Sequence, residues 1–169
     1  MHEKSIALLN QAVAEELTAV HQYMYFHFHA NDQGYDPLSA LFRTIAIQEM
    51  LHVERLAERI LFLKGEVEMV LAAPVEKIRD VPKMLEMARR LEEEAIQHYN
   101  QFANQCAAHG DAVSKRLFED LLLDEERHYD QFDQELDNLA RFGQNYLALQ
   151  SIERAKAQAA AAPSEPPGA

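Results

Sequence analysis

One cysteine, Cys106, is all the thiol in a chain of 169 residues. That excludes a disulfide framework and any zinc or rubredoxin-type site built from thiolates. Glycine and proline are almost as scarce, five and six residues, and half of the prolines (Pro163, Pro166, Pro167) crowd the C-terminal end. So few breakers exclude a turn-rich β fold and leave long helices. Basic residues are outnumbered 28 to 16, for a formal net charge of −12. Such a chain repels nucleic acid and anionic membrane, and it attracts cations. No apolar run approaches the roughly 18 residues of a membrane span. The opening "MHEKSIALLNQ" carries charge where a signal peptide has its hydrophobic stretch. The expectation is a cytoplasmic protein without nucleic-acid or membrane partners.

What is present is a core and a rhythm. The hydrophobic fraction is 48%, and the length suits one domain. Four long helical patterns run over about 3–30, over 37–64, from 81–82 until the pattern fades at "AAHGD" (107–111), and over 112–141, with Asp36 and Asp111 as expected N-caps and Pro37 in a first turn. "QNYLALQSIERAK" reads as a short fifth helix after Gly143. Residues 1–157 are expected to form the domain and 158–169, rich in Ala and Pro, a disordered tail. The links between helices one and two, and between three and four, are short, so each pair is antiparallel. The third link, 65–80, is long. A helix of 28 residues spans roughly 42 Å, and sixteen extended residues reach at most about 53–58 Å. That link can therefore run the length of a bundle, leaving helices two and three parallel. The fold class is all-α: a four-helix bundle with one long crossover.

The apolar seams of these helices are interrupted in one place each. Helix one reads Leu9, Val13, Glu16, Val20, Tyr23, His27, and helix two Leu38, Phe42, Ile45, Glu49, His52, Leu56. Helix three reads Leu85, Ala88, Glu92, Ala95, Tyr99, Phe102, Cys106, and helix four Phe118, Leu121, Glu125, His128, Phe132, Leu136. A glutamate lies near the middle of every seam. An ionised carboxylate there costs several kcal/mol unless a cation pairs with it. No Lys or Arg lies on the seams at that level, so the positive charge has to come from outside. A metal ion is the compact source.

Spacing sharpens this. Glu16 to Glu49 is 49 − 16 = 33 residues, and Glu92 to Glu125 is 125 − 92 = 33. "ELTAVHQY" and "EEEAIQHY" also match, so the halves repeat with an offset of 92 − 16 = 76. Folded as a bundle, each half supplies one Glu and one Glu-x-x-His. The six candidate ligands are Glu16, Glu49, His52, Glu92, Glu125 and His128, the ligand pattern of ferritin-like di-metal proteins. Carboxylates with one nitrogen per metal suit Fe(II) or Mn(II). A lone Glu-x-x-His is weak and usually a solvated pair; four seam positions at two equal spacings are not. Tyr23 reads either as a core aromatic or as a hydrogen-bond donor or electron relay at the site. Tyr99, His27 and Cys106 read as core, and His21, His29, His98 and His109 have no usable spacing.

With these motifs in hand the sequence resembles bacterioferritin. The match runs from "LNQAVAEELTAVHQYM" through "IAIQEMLHVERLAERILFLKGE" to "LLLDEERHYDQFDQELDNLARFGQNYL", roughly residues 8–150. The resemblance implies a ferroxidase that oxidises Fe(II) with O2 or H2O2 at two irons per subunit, and iron storage within a hollow homo-oligomeric cage. It implies a ferredoxin-type reductant for iron release. It carries over the same six ligands, with Glu49 and Glu125 bridging. It also implies a haem, or related porphyrin, shared between two subunits, with Met50 as axial ligand and Leu17, His21 and Met24 lining the pocket. Leu51 departs from the Lys or Arg of many relatives, and Thr44 and Gln48 replace a His and an Asp that some members use for an inner-surface iron site. Two other readings compete: a non-storage di-metal redox enzyme, rubrerythrin-like or manganese-catalase-like, and a cage or electron carrier with a vestigial metal site.

Overall fold

Helix starts and stops follow from a few capping residues. A computed structural model describes residues 2–161. Among the described residues there are five helices and no strand: α1 (Glu3–Asp32), α2 (Asp36–Phe62), α3 (Val81–Ala108), α4 (Ala112–Phe142) and α5 (Gln144–Ala161). The Asp111 side chain caps α4 by accepting from the Ser114 N–H at 3.0 Å, and Asp80 caps α3 through the Lys83 N–H at 3.2 Å. Asp36 is not a cap, contrary to expectation. α1 ends in a Schellman turn through Gly34 (φ +85°), with the Tyr35 N–H on the Ala30 carbonyl at 2.9 Å. The Tyr35 carbonyl then opens α2, so Asp36 is already helical. α2 closes the same way, but the left-handed residue is Lys64 (φ 63°) and not Gly65. Gly65 answers a different need: a Cβ there would lie 2.8 Å from Ile6 Cγ2.

α1 packs against α2 and α3 against α4. The crossover, 65–80, fixes how the two pairs meet. It runs alongside α1 in the same direction, held by a ladder of hydrogen bonds. Asn10 donates to the Glu66 carbonyl at 2.9 Å, and the Ala72 N–H donates to Thr18 Oγ1 at 2.9 Å. Gln22 exchanges two bonds with the backbone of Glu76, and Gln33 donates to the Arg79 carbonyl. The link thus returns the chain to the end where α2 began, so α2 and α3 run parallel. α5 closes that end, with Tyr146 and Leu147 against the core and Arg154 donating to the Asn31 carbonyl at 2.7 Å. α5 passes the expected boundary at 157 and stays helical through 161, because alanine is the strongest helix former. Residues 162–169 of the expected tail lie outside the described residues. No described helix is long and apolar enough to cross a membrane.

The core is divided. One cluster contains Tyr23, Phe26, Phe42, Ile45, Leu85 and Phe132. The other contains Leu9, Val13, Leu56, Tyr99, Phe102 and Phe118. On α1 the buried stripe includes Phe26 and Ala30, while His27 is only half-buried, because 3.6-residue periodicity drifts off a fixed spacing over a long helix. Between the two clusters lies a polar layer. Thr18→Val should loosen the crossover above it, since the Thr18 hydroxyl accepts from both Ala72 and Ala73. The expected cost is about 1–3 kcal/mol, with faster amide exchange at 70–76 and unchanged protection in α4. Unaltered exchange in that segment would contradict the anchoring role.

Candidate metal centre

The polar layer is made by the six residues that interrupt the seams. Glu16 comes from α1, Glu49 and His52 from α2, Glu92 from α3, and Glu125 and His128 from α4. Helical spacing places Glu49 with His52, and Glu125 with His128, one turn apart on a single face. All six side chains are buried. The His52 Nδ1 lies 2.8 Å from Glu49 Oε2, 3.0 Å from Glu125 Oε1 and 3.3 Å from Glu16 Oε1. The His128 Nδ1 lies 2.9 Å from Glu49 Oε1, 3.4 Å from Glu125 Oε2 and 3.7 Å from Glu92 Oε2. Two sets emerge, Glu16–Glu49–His52–Glu125 and Glu49–Glu92–Glu125–His128, each with ligand atoms within 4.8 Å of one another. Glu49 and Glu125 belong to both.

The donor chemistry fits a pair of divalent cations. Both Glu49 oxygens, Glu125 Oε1 and both imidazole Nδ1 atoms are buried without a well-directed hydrogen bond. They aim at shared points instead, as ligands do. Among the described residues no Lys or Arg comes within ion-pairing distance of the four carboxylates, and of the basic side chains only the two histidines approach them. The outer faces of the same groups are satisfied. The Tyr23 hydroxyl donates to Glu92, and the Tyr99 hydroxyl donates to Glu16. The His52 Nε2 lies 3.2 Å from Asp124 Oδ2 and the His128 Nε2 lies 2.9 Å from Gln48 Oε1. Fixing the far side of a ligand in this way sets its orientation.

Charge and burial pull these groups far from their ordinary states. Burial, then the charges of Glu125 and Glu49, holds the Glu16 carboxyl well above the usual carboxylate range. Burial, then Glu49, does the same to Glu92. Burial alone would lower His52 and His128, but their contacts with the glutamates outweigh it and push both up to about 12. Glu49 would be raised by burial, yet the close approach of the His128 and His52 imidazoles draws it down to about 2. Burial and the adjacent carboxylates push the Tyr23 and Tyr99 phenols well above their usual range, so both remain donors.

Of the residues singled out in the sequence, Tyr23 joins the layer, as Glu92's donor. Cys106 is buried in the far cluster. Met50 does not meet the six. It stands 46% exposed on the opposite face of α2, beside the exposed Ile47 and Leu51, with His21 exposed and Leu17 and Met24 half-buried on α1. Three residues that touch the layer were not legible as such: Tyr99, Gln48 and Asp124. The internal repeat holds the signal, since 99 − 23 = 76 and 124 − 48 = 76. A cavity of about 200 Å³ opens onto the layer between α1 and α3, under Ala72 and Ala73, with Glu15 and His98 among its lining. Both histidine ligand candidates lie on the other side, toward Gln48 and Asp124.

A ferritin-like domain model matches residues 6–142. Bacterioferritin from Desulfovibrio desulfuricans is 38% identical over 145 residues, covering 86% of this chain and 81% of that protein. The chain belongs to the bacterioferritin family. The Brucella melitensis bacterioferritin is also 38% identical, over 83% of this chain and 88% of its own length. An X-ray structure of the D. desulfuricans bacterioferritin, described as showing the diiron site in different catalytic states, superposes with a TM-score of 0.86 at 37% identity, covering 88% of this chain and 86% of that one.

Metal and protons compete for the same atoms. The two imidazoles hold protons on their metal-facing side in the protein alone, so loading two divalent ions should release about two protons per chain from them, and more from Glu16 and Glu92 to the extent that those carboxyls are held above the usual range. Both imidazoles are pushed up to about 12, so the competition extends through neutral pH, well above the roughly pH 4 of an ordinary carboxyl. Affinity should therefore rise steadily with pH. Calorimetry with zinc ion in buffers of different ionisation enthalpy reads the count directly; a count near zero would contradict it.

Proposed function

We propose that the chain is a bacterioferritin-type ferroxidase subunit, which oxidises Fe(II) with O2 or H2O2 and stores the product as ferric mineral inside a homo-oligomeric cage. The observation that carries this is the convergence of Glu16, Glu49, His52, Glu92, Glu125 and His128 into two overlapping four-residue sets. Glu49 and Glu125, which belong to both sets, would be shared by the two ions, and each remaining Glu and His would serve one position. Iron supplies the redox chemistry there, two Fe(II) ions giving up one electron each to the oxidant. The protein supplies charge balance, since four carboxylates match two divalent ions. Tyr23 and Tyr99 hold Glu92 and Glu16 in place through bonds their neutral phenols can always make. The cavity between α1 and α3 gives small solutes a way to the layer, and its acidic lining favours cations.

The reading includes a porphyrin. A face carrying Met50, Ile47, Leu51, Leu17, His21 and Met24 is unusually apolar for a surface. In the antiparallel pair, Glu16 lies beside His52 and His27 beside Ser39, which sets Leu17 level with Met50. A two-fold axis through this face would bring two Met50 thioethers together as the axial pair of one haem. The assembly is read as cytoplasmic, with a ferredoxin-type reductant for iron release.

Glu16→Ala or Glu125→Ala should remove the fast phase of Fe(II) oxidation, lowering its rate by about 10–100-fold; an unchanged stopped-flow rate would refute the ligand assignment. Met50→Leu should abolish the haem Soret band while oxidation continues, and a retained band would refute the axial role. Fe(II) loading in air followed by sizing tests storage: a large shell with many irons per chain is expected. A small species that stops at two irons and consumes peroxide would favour a non-storage enzyme.

A further inference from the structure

The two halves of the metal centre mirror each other in their ligands but not in what stands behind the histidines. Offset by 76 residues, Gln48 and Asp124 occupy equivalent places, each one residue before a bridging glutamate. Each reaches across to the other helix's histidine: Asp124 Oδ2 to His52 Nε2 at 3.2 Å, and Gln48 Oε1 to His128 Nε2 at 2.9 Å. Both imidazoles thus turn Nδ1 to the carboxylates and Nε2 to an outer acceptor. One acceptor is a carboxylate and the other a neutral amide.

We infer that Asp124 and Gln48 are positioning residues that make the two metal positions unequal, with the Glu16–His52 position binding a divalent ion more tightly than the Glu92–His128 position. This rests on the di-metal reading above. A cation on Nδ1 draws density from the ring and makes the Nε2–H a stronger donor. A carboxylate answers that change with a charge-assisted bond roughly twice as strong as a neutral one. Donation through Nδ1 is strengthened in turn. Gln48 carries no charge to respond with, and its residue is solvent-exposed while Asp124 is half-buried. The shorter Gln48 contact does not offset this, because the difference lies in charge and not in reach.

Two cations oppose the effect. Arg127 pairs with Asp124 Oδ1, and Arg55 Nη1 lies 3.8 Å from Oδ2. Their side chains are 72% and 39% exposed, against 23% for Asp124. Water therefore screens their charge more than it screens the direct His52 contact. Their main effect is to hold the carboxylate in its pose. Among the described residues the Gln48 side chain makes no hydrogen bond other than the one to His128, so the His128 side has no counterpart to the Asp124 carboxylate or to the arginine that holds it. The half that loses its ion first is accordingly the Glu92–His128 half.

The test is site-resolved occupancy. Crystals of the full-length, metal-stripped assembly given one equivalent of Co(II) per chain would be measured at the cobalt edge. The wild type should show the His52 position favoured about tenfold. Asp124→Asn should level the two positions, and Gln48→Glu should level them from the other direction by strengthening the His128 side. Equal occupancy in the wild type would overturn the inference while leaving the metal centre intact. So would a wild-type preference that persists in either variant. If Asp124→Asn fails to fold, Gln48→Glu alone decides. Cobalt absent from both positions would overturn the centre and the inference together.

Discussion

Four carboxylates, Glu16, Glu49, Glu92 and Glu125, face one another at mid-bundle with no lysine or arginine among them. Burying like charges so closely is among the most expensive arrangements a protein can make. Everything else around the layer can be understood as a way of holding that arrangement ready for cations. The two histidines accept protons or metal through the same Nδ1 atoms. The tyrosines and the outer partners of the histidines fix the far side of each ligand, so the inward-facing atoms are left with nothing to bind but one another or an ion.

The scaffold serves the same end. Apolar clusters flank the layer above and below, and the cavity between α1 and α3 reaches it from the side. The crossover, laid along α1 and anchored by Asn10, Thr18, Gln22 and Gln33, makes α2 and α3 parallel. With α2 and α3 parallel, α4 returns antiparallel beside α2, and the two Glu-x-x-His motifs meet directly. The face bearing Met50 points away from this layer, so its residues and the six of the layer are separate sets.

Much of this was legible in the sequence because the centre breaks strong rules. Charge on an apolar seam is conspicuous, and its recurrence at equal spacing is more so. All four bundle helices lie within two residues of the ends that periodicity and capping suggest. The errors came where local chemistry is ambiguous. Asp36 looks like a cap, but Gly34 turns the chain one residue too early for it to act as one. Ala-rich sequence next to prolines reads as tail, yet alanine extends α5 to 161. Asp124 lies within a charged run, "DEERHYD", and nothing local separates its role from that of a solvated neighbour. Only its repeat partner, Gln48, marks it.

The central claim is that divalent cations belong in the buried acidic layer. Equilibrium binding of ferrous ion to the metal-stripped protein under strict anaerobiosis tests it without any oxidation step. The account predicts about two tightly held ions per chain, lost when Glu49 and Glu125 are both replaced by glutamine. A wild-type protein that retains none, or a doubly substituted one that retains as many, would contradict it.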